Sequence, residues 1–218
     1  MRRRALVAVG LVTTGAFIGL AVLGFGGRAA FMAHPARRIA CIVMVALAVA
    51  ASSSDANVSS GRREDVSNRW IFLPFVALTV LWAWLPPLAE RRELLTLDGD
   101  GVRYAGLALS LVGGVLRVWP MFVLGRRFSG FVAIQEQHTL ETTGLYRLVR
   151  HPSYLGGIVW LVGWMLLFRS GIGLLLVLPA APLLRSRLVA EEELLASEFG
   201  ESYAQYRRRS YRLVPFVY

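Results

Sequence analysis

The sequence predicts an all-α, multi-pass transmembrane protein. The chain has 218 residues, of which 56% are hydrophobic and 17% are charged, and its mean hydropathy is +0.53. Soluble domains carry about 25% charged residues. A second observation is that the apolar residues are gathered in runs, several of which reach the roughly 20 residues that a helix needs to cross a bilayer. We therefore expect about five to six membrane helices, including a helical hairpin, and a C-terminal amphipathic helix.

The runs that predict these helices are separated by segments that hold most of the charge, and they lie at about 5–27, 39–51, 70–89, 104–124 and 154–184. The first, third and fourth are long enough to span. The second has only about 13 residues, or roughly 20 Å of helix, against a hydrocarbon core of roughly 30 Å. We expect it to include flanking residues from 33–38 or 52–54, or a neighbouring helix to tilt toward it. Arginines precede the first run as in a signal peptide, but its length favours an uncleaved helix.

Prolines and glycines predict where these helices bend or end. Pro86 and Pro87 predict an end to the third run, and Pro120 predicts a kink in the fourth. The last run is too long for one span and is interrupted at 169–171 by Arg-Ser-Gly, which predicts a hairpin turn or one long broken helix. The segment 52–69 is predicted to be a polar connecting loop.

The C-terminal part is amphipathic from Leu183 onward, with apolar residues at helical spacing opposite a face rich in Arg and Glu. Gly200 is expected to end or bend this helix. The tail after it mixes arginines with aromatic residues, as an interfacial segment does. We expect N-terminal transmembrane helices at 1–124 and a core that carries the chemistry at 125–218.

The basic residues are all arginines: 24 in number, with no lysine, for a formal net charge of +10. They lie in pairs and triplets beside the apolar runs, which is typical of membrane flanks and contacts with anionic lipids rather than of nucleic-acid binding. With a cytoplasmic N-terminus, four spans and the hairpin return the chain to the cytoplasm. The segment after residue 125 and the C-terminal tail would then both face the cytoplasm.

The polar segment 134–157 lies between two apolar runs and is the first candidate for chemistry. It holds His138 and His151, but no HExxH or CxxC spacing accompanies them, so a zinc site is not favoured. No GxSxG motif is present, and the one cysteine, Cys41, lies in an apolar run and is expected to be a buried small hydrophobe. In a membrane protein this segment must contact water or line a cavity.

Arg187 and Glu191 are a second candidate, because residues at i and i+4 are neighbours on a helix. A surface ion pair explains this spacing equally well. Their place just beyond the last apolar run favours a functional role over a surface ion pair, since their helix could fold back over the segment 134–154. Arg117, inside the fourth run, must face a cavity or a partner, because an arginine in lipid is costly.

Several motifs in the C-terminal half resemble one family. LGRRFSGFVAIQ, HTL, TGLYR and RHPSYLG are followed by an arginine separated by three residues from an EEE cluster, then LLxxxFGxxY and a final RLVP. In this order they resemble the isoprenylcysteine carboxyl methyltransferase family and its phospholipid methyltransferase relatives. The resemblance covers about residues 120–215. The first hundred residues resemble the family only in being hydrophobic helices.

The resemblance implies S-adenosyl-L-methionine as the cofactor, held in a cytoplasm-facing pocket under the loop and the C-terminal helix. Arg187 and Glu191 would be catalytic, with Arg187 facing the methyl acceptor. Glu141 departs from the apolar residue expected after HTL, so it is expected to contribute its backbone. The residues that would contact the cofactor are Gln135, His138, Thr139, Leu140, Glu141, Tyr146, His151, Pro152, Ser153, Tyr154 and Glu191.

The acceptor implied is a lipophilic molecule that reaches the pocket from the bilayer, namely the carboxylate of an isoprenylcysteine. Phospholipid amines and thiols are alternatives, as are an NADPH-dependent oxidoreductase of the sterol reductase kind and a catalytically silent scaffold. Structural explanations also stay open: His151-Pro152 as a helix start, Gly156-Gly157 as a close helix contact, and Tyr203 and Tyr206 as packing or interfacial anchors.

Overall fold

The computed structural model describes residues 2–56, 62–64, 66–135 and 139–216. Within these ranges five helical segments are long and apolar enough to cross a membrane: Val7–Phe25, Pro35–Ser53, Arg69–Arg91, Asp100–Arg127 and Gly171–Phe199. The predicted membrane-helical fold is confirmed. The helices are α1 (Arg2–Phe25), α2 (Arg28–Met32), α3 (Pro35–Ser53), α4 (Phe72–Arg91), α5 (Asp100–Leu124), α6 (Pro152–Leu167), α7 (Gly171–Leu175), α8 (Ala180–Phe199) and α9 (Glu201–Arg208).

The short second run is lengthened on both sides, as its length required. Helix α3 has 19 residues and begins at Pro35, whose missing N–H costs nothing in a first turn. His34 caps the helix, since its Nδ1 accepts a hydrogen bond from the Ala36 N–H at 3.2 Å. A run of apolar residues too short to span thereby becomes part of a helix that is long enough.

The predicted end of the third run at Pro86-Pro87 is wrong, because α4 continues through both prolines to Arg91. Pro86 has no N–H to donate to the carbonyl of Trp82, four residues earlier. The Trp164 indole of α6 donates to that carbonyl instead, at 2.9 Å. A tertiary contact thus replaces the helical hydrogen bond, and local sequence alone could not reveal it. Pro120 lies inside α5, and the kink expected there stays a prediction.

Helices α5 and α6 are antiparallel and meet at glycines. Gly106 and Gly113 of α5 face Gly163 and Gly156 of α6, so glycines spaced seven apart oppose each other on both helices. A Cβ added to Gly113 would lie 2.2 Å from the Trp160 nitrogen, and one on Gly106 would lie 2.3 Å from the Leu167 nitrogen. The backbones are therefore in direct contact, which only glycine permits.

The hairpin turn at 169–171 is present, but its second arm is not one continuous helix. After α6 the chain reverses at Arg169, which has a positive φ of 48°. The arm then consists of α7, a turn at 176–179, and α8. Pro179 disfavours helical backbone at the residue before it, which accounts for the break.

A cluster of charged side chains is buried at the end of the helices where the hairpin turns. The Glu90 carboxylate on α4 lies 2.6 Å from Arg103 of α5, 3.3 Å from Arg169 and 3.6 Å from Arg37 of α3. The guanidinium groups of Arg37 and Arg103 also donate to backbone carbonyls of Phe31, at 2.7 Å, and Leu167, at 3.1 Å. Four segments of the chain are tied together there.

The opposite end carries the polar connections. Part of the predicted polar loop forms a strand, β1 (Arg63–Glu64), that pairs antiparallel with β2 (Ala133–Ile134), and Val66–Ile71 forms a 3-10 helix. Val132 and Ile134 pack on Ala190 and Leu194 of α8. Gly200, with φ of 51°, ends α8 as predicted and lets α9 follow directly. This end positions residues 125–135 and 139–151 beneath α8 and α9.

Candidate active site

A cavity lies where the C-terminal end of α5, the start of α6, the segment 125–151 and helices α8 and α9 converge. It encloses about 1000 Å³ of atom-free space, its open mouth included. Its wall combines aromatic, basic and acidic side chains with apolar ones. They include Arg117, Arg127, Phe128, Phe131, Ile134, Leu140, Glu141, Tyr146, Arg150, His151, Pro152, Ser153, Tyr154, Arg187, Glu191, Leu194, Leu195, Tyr203 and Tyr206.

Arg187 and Glu191 are joined through the hydroxyl of Tyr154. Arg187 Nε donates to Tyr154 Oη at 2.6 Å, and Tyr154 Oη donates to Glu191 Oε2 at 2.6 Å. Arg187 Nη2 also donates to the carbonyl of Gly130. The sequence predicted that the two charged residues are neighbours, and the structure inserts a tyrosine from α6 between them. A cation, a hydroxyl and a carboxylate thereby line one wall.

His151 is held at the start of α6 by two glutamates of α8. Its Nε2 lies 3.3 Å from Glu192 Oε1, and its Nδ1 lies 3.8 Å from Glu191 Oε1. Glu192 is 4% exposed and also accepts from Arg150 Nε at 2.9 Å and from Arg212 Nη2 at 2.6 Å. Glu191 lines the cavity, whereas Glu192 fixes the groups around it.

The C-terminal segment after α9 secures the loop before α6. Tyr211 N–H donates to the Leu148 carbonyl at 2.8 Å, and Arg150 N–H donates to the Tyr211 carbonyl at 2.8 Å. His151 N–H donates to the Arg212 carbonyl at 3.2 Å. The backbone on both sides of Arg150 is thus fixed by a short parallel pairing, which presents His151 to the cavity.

Arg117 faces the cavity, as an arginine inside an apolar run must. Its Nη1 donates to Ser153 Oγ at 2.8 Å, and Ser153 Oγ donates to the Arg117 carbonyl at 3.1 Å. The first turn of α6 is thereby joined to the middle of α5. The site is built across the same helix pair that the glycines hold in contact.

Tyr146 belongs to an aromatic corner of the wall. Its ring stacks on Trp119 with centroids 6.0 Å apart, and its carbonyl accepts from Tyr206 Oη at 2.7 Å. Burial raises the pKa of Tyr146 well above its ordinary value and raises the pKa of Tyr206 to about 12. Both phenols therefore stay protonated near neutral pH, which leaves the Tyr206 hydroxyl able to donate to the Tyr146 carbonyl.

Glu141 lines another side of the cavity, and its backbone contact with a cofactor stays a prediction. Its Oε1 accepts from Thr143 Oγ1 at 2.6 Å, and its Oε2 accepts from Arg127 Nη2 at 3.2 Å. These hydrogen bonds, Thr143 first, hold the pKa of the Glu141 carboxyl below its ordinary value. Arg127 also donates to Thr139 Oγ1 at 2.7 Å, so one arginine organises this part of the loop.

The predicted site residues do not all reach the cavity. Gln135 is 4% exposed and Thr139 bonds to Arg127, and neither is part of the wall. His138 lies outside the described residues. Those that the structure brings together in the wall are Leu140, Glu141, Tyr146, His151, Pro152, Ser153, Tyr154, Arg187 and Glu191.

Several wall residues were not predicted as site residues. Arg127 and Phe128 belong to the LGRRFSG motif, which is the one signal in the sequence that marks them. Arg150 stands beside the predicted His151, but nothing in its spacing separates a supporting role from a cavity-lining one. Tyr203 and Tyr206, for which packing or an interfacial anchor was the expected role, are buried against each other and also line the cavity.

Comparison with known proteins places the chain among methyltransferase relatives. Residues 106–197 match the isoprenylcysteine carboxyl methyltransferase (ICMT) family model. A probable protein-S-isoprenylcysteine O-methyltransferase of Oryza sativa subsp. indica is 34% identical over 163 residues, which cover 72% of this chain and 84% of that protein. The Homo sapiens protein-S-isoprenylcysteine O-methyltransferase is 35% identical over 115 residues, which cover 51% of this chain and 40% of that protein.

The fold has a solved counterpart. The structure of the eukaryotic intramembrane Ras methyltransferase ICMT superposes with a TM-score of 0.59 and 23% identity, covering 95% of this chain and 77% of the other. The likeness extends to the N-terminal helices, beyond the residues of the family match. The chain is an integral membrane protein, and it belongs to the isoprenylcysteine carboxyl methyltransferase family.

Proposed function

We propose that this chain is an S-adenosyl-L-methionine-dependent methyltransferase that methylates the carboxylate of an isoprenylcysteine-like lipophilic acceptor, in a cavity that faces the cytoplasm. The observation that carries the proposal is the Arg187–Tyr154–Glu191 chain in the cavity wall. It offers a cation to an anionic acceptor and a carboxylate to a cationic cofactor, a few ångströms apart. Family membership supports the same reaction.

The residues present fit the cofactor. Its sulfonium and ammonium groups are cationic, and Glu191 supplies a carboxylate at the cavity surface. Tyr146 and Tyr154 supply aromatic faces and hydroxyls, which suit an adenine ring or a sulfonium. The cavity is lined by apolar and aromatic side chains together with a few charged ones, as ligand sites are. Bound adenosylmethionine would supply an activated methyl group.

Arg187 is suited to hold the acceptor. Its Nε and Nη2 are engaged by Tyr154 and Gly130, and this fixes the plane of the guanidinium. A planar guanidinium held in this way can present its remaining donors to a carboxylate. An ionised carboxylate is already a nucleophile, so alignment with the methyl group is the main requirement and no general base is needed.

The acceptor is tested with a methyl-transfer assay on the purified full chain. Labelled adenosylmethionine is offered with prenylcysteines, aminophospholipids, thiols and quinone-like lipids. We expect the prenylcysteine carboxylate to be methylated, with a base-labile ester as the product. Methylation of amines or thiols alone would contradict the proposed acceptor, and tight NADPH binding without binding of adenosylhomocysteine would contradict the reaction class.

The roles of the site residues are tested by three alanine variants. We expect Glu191→Ala and His151→Ala to weaken adenosylhomocysteine binding by about tenfold or more, the value of a charge-assisted hydrogen bond. Arg187→Ala should spare cofactor binding and lower turnover, because its partner is the acceptor. Equal cofactor affinity in all three variants would contradict these assignments.

A further inference from the structure

The short 3-10 helix Gly144–Arg147 lies beside a membrane-spanning segment. Its Tyr146 ring stacks on Trp119 of α5, and α5 ends at Leu124. At roughly 1.5 Å of rise per residue, this contact lies about 7 Å inside the end of α5. The 3-10 helix is therefore at the depth where the apolar core of a bilayer meets its headgroups.

Apolar side chains are exposed around this 3-10 helix. Leu145 and Leu148 are 40% and 46% exposed, and Phe216 is 86% exposed. Tyr211 joins them, because its N–H donates to the Leu148 carbonyl at 2.8 Å and its ring centroid lies 5.0 Å from that of Phe216. These four residues form one apolar patch beside the end of α5. At this depth, lipid rather than water is the surrounding that stabilises such a patch.

A basic hollow adjoins the apolar patch at Tyr211. Among the described residues it is lined by four arginines and by no Asp or Glu. Arg150 and Arg212 bind the buried Glu192, whereas Arg207 and Arg208 are exposed. One buried carboxylate cannot neutralise four guanidinium groups, so the hollow is positively charged. The residues that line it are Arg150, Ala204, Arg207, Arg208, Ser210, Tyr211 and Arg212.

The hollow and the patch together match the two parts of a phospholipid. Guanidinium groups bind phosphate with paired hydrogen bonds, and exposed apolar side chains at the edge of a bilayer contact acyl chains. A soluble acidic partner would match the hollow but would leave the patch in water. Arginines close to a bilayer are attracted to anionic lipids in particular. The occupant that satisfies both surfaces is an anionic phospholipid.

We propose that the basic hollow and the apolar patch bind an anionic phospholipid of the leaflet at the cavity end of the helices. Its phosphate contacts Arg207 and Arg208, and its acyl chains lie against Leu148 and Phe216. The C-terminal segment that forms this surface also makes the backbone pairing that presents His151 to the cavity. The bound lipid therefore holds that segment against the loop.

Native mass spectrometry of the detergent-solubilised full chain measures the affinity for phosphatidylglycerol and for phosphatidylcholine. We expect wild type to prefer phosphatidylglycerol, and Arg207→Gln/Arg208→Gln to bind it about tenfold more weakly. The matched control Arg126→Gln/Arg209→Gln removes the same charge at exposed arginines outside the hollow and should bind phosphatidylglycerol as wild type does. Equal losses in the two double variants, or no preference for phosphatidylglycerol, would overturn the proposal.

A nitroxide label measures separately whether the apolar patch lies in lipid. Phe216→Cys and Glu201→Cys are each made with Cys41→Ala, which removes the one native cysteine, and are labelled in nanodiscs that contain phosphatidylglycerol. We expect the label at 216 to collide mainly with oxygen, which partitions into lipid. The label at 201, exposed in the first turn of α9, should collide mainly with a water-soluble nickel chelate. A label at 216 in water would overturn the lipid contact, even if the arginines still bound an anion.

Discussion

At the residue scale, the hydroxyl of Tyr154 joins the two halves of the site. It accepts from Arg187 and donates to Glu191, so a single oxygen orients both the side chain proposed to hold the acceptor and the one proposed to hold the cofactor. The Arg187 guanidinium also lies 5.8 Å from the centre of the Tyr154 ring. The ring and the hydroxyl therefore fix the arginine in two ways.

Tyr154→Phe keeps the ring and removes the hydroxyl. We expect kcat/KM to fall by about tenfold or more, because two charged groups each lose a hydrogen bond worth about 1.5–3 kcal/mol. The fall should include a higher KM for the acceptor, measured with saturating adenosylmethionine. Tyr104→Phe, at an exposed tyrosine near the far end of α5, should match wild type. Wild-type kcat/KM in Tyr154→Phe would contradict this role of the hydroxyl.

Sequence predicted the charged residues of the site better than it predicted their partners. Arg187 and Glu191 are neighbours by helix periodicity, which is local information. Tyr154 comes from another helix, and only the fold brings it between them. Within the EEE cluster, periodicity did not show that Glu191 faces the cavity while Glu192 is buried among cations. Such roles depend on which side of α8 meets the loop, and that is decided by packing.

At the element scale, Glu192 connects three segments. It binds Arg150 of the loop, His151 at the start of α6 and Arg212 of the C-terminal segment. Arg150 and Arg212 are cationic. Breaking a buried ion pair from one side costs about 3–5 kcal/mol, since the remaining charges stay desolvated.

Glu192→Gln should therefore loosen the C-terminal segment from the loop. We expect a lower Tm and faster amide hydrogen exchange at 148–151 and 211–213, together with weaker adenosylhomocysteine binding through His151. Glu193→Gln, the next residue along α8, is more exposed and should leave both exchange and Tm close to wild type. Unchanged exchange in Glu192→Gln would show that the backbone pairing holds the segment without the carboxylate.

The contact between α5 and α6 offers a matched pair of substitutions. A Cβ on Gly156 would lie 2.4 Å from the Arg117 nitrogen, whereas one on Gly157 would meet nothing closer than the Arg117 Cδ at 3.9 Å. Gly156→Ala should lower stability by roughly 1–3 kcal/mol, because the helices must separate. Gly157→Ala should leave stability unchanged or raise it, since alanine favours helix by about 1 kcal/mol. Thermal unfolding in detergent compares the two, and equal Tm values would contradict backbone contact at Gly156.

The element-scale predictions failed where a distant residue overrides local preference. Helix α4 passes through Pro86 and Pro87 because Trp164 satisfies the carbonyl that Pro86 frees. The prediction that the second run is lengthened by flanking residues is confirmed at α3. A helix must span the bilayer whatever its neighbours are, so its minimum length can be read from the sequence. The membrane-spanning helices could be predicted because the thickness of the bilayer sets their length. Their ends and breaks could not, because these depend on tertiary contacts.

At the scale of the whole molecule, the two ends of the helices carry different electrostatics. One end holds the cavity, and the other holds Glu90 surrounded by Arg37, Arg103 and Arg169. Arg37 and Arg103 are 5% and 4% exposed, so this cluster is internal. It joins the N-terminal helices α3 and α4 to α5 and to the hairpin turn after α6. The cavity is thus built on helices whose other ends are tied by buried charges.

Glu90→Gln should destabilise the fold without reaching the site. Glutamine cannot compensate three guanidinium groups, so we expect a loss of about 3–5 kcal/mol, seen as a lower Tm. Glu93→Gln, at an exposed glutamate just after α4, serves as the matched control and should keep the wild-type Tm. Adenosylhomocysteine affinity, measured well below the Tm of each variant, should stay unchanged, because none of the four clustered residues lines the cavity among the described residues. If the affinity for adenosylhomocysteine fell together with Tm, the two ends of the helices would be energetically coupled through α5 and α6. The glycine contact between those helices would then be the first feature to test as the route of that coupling.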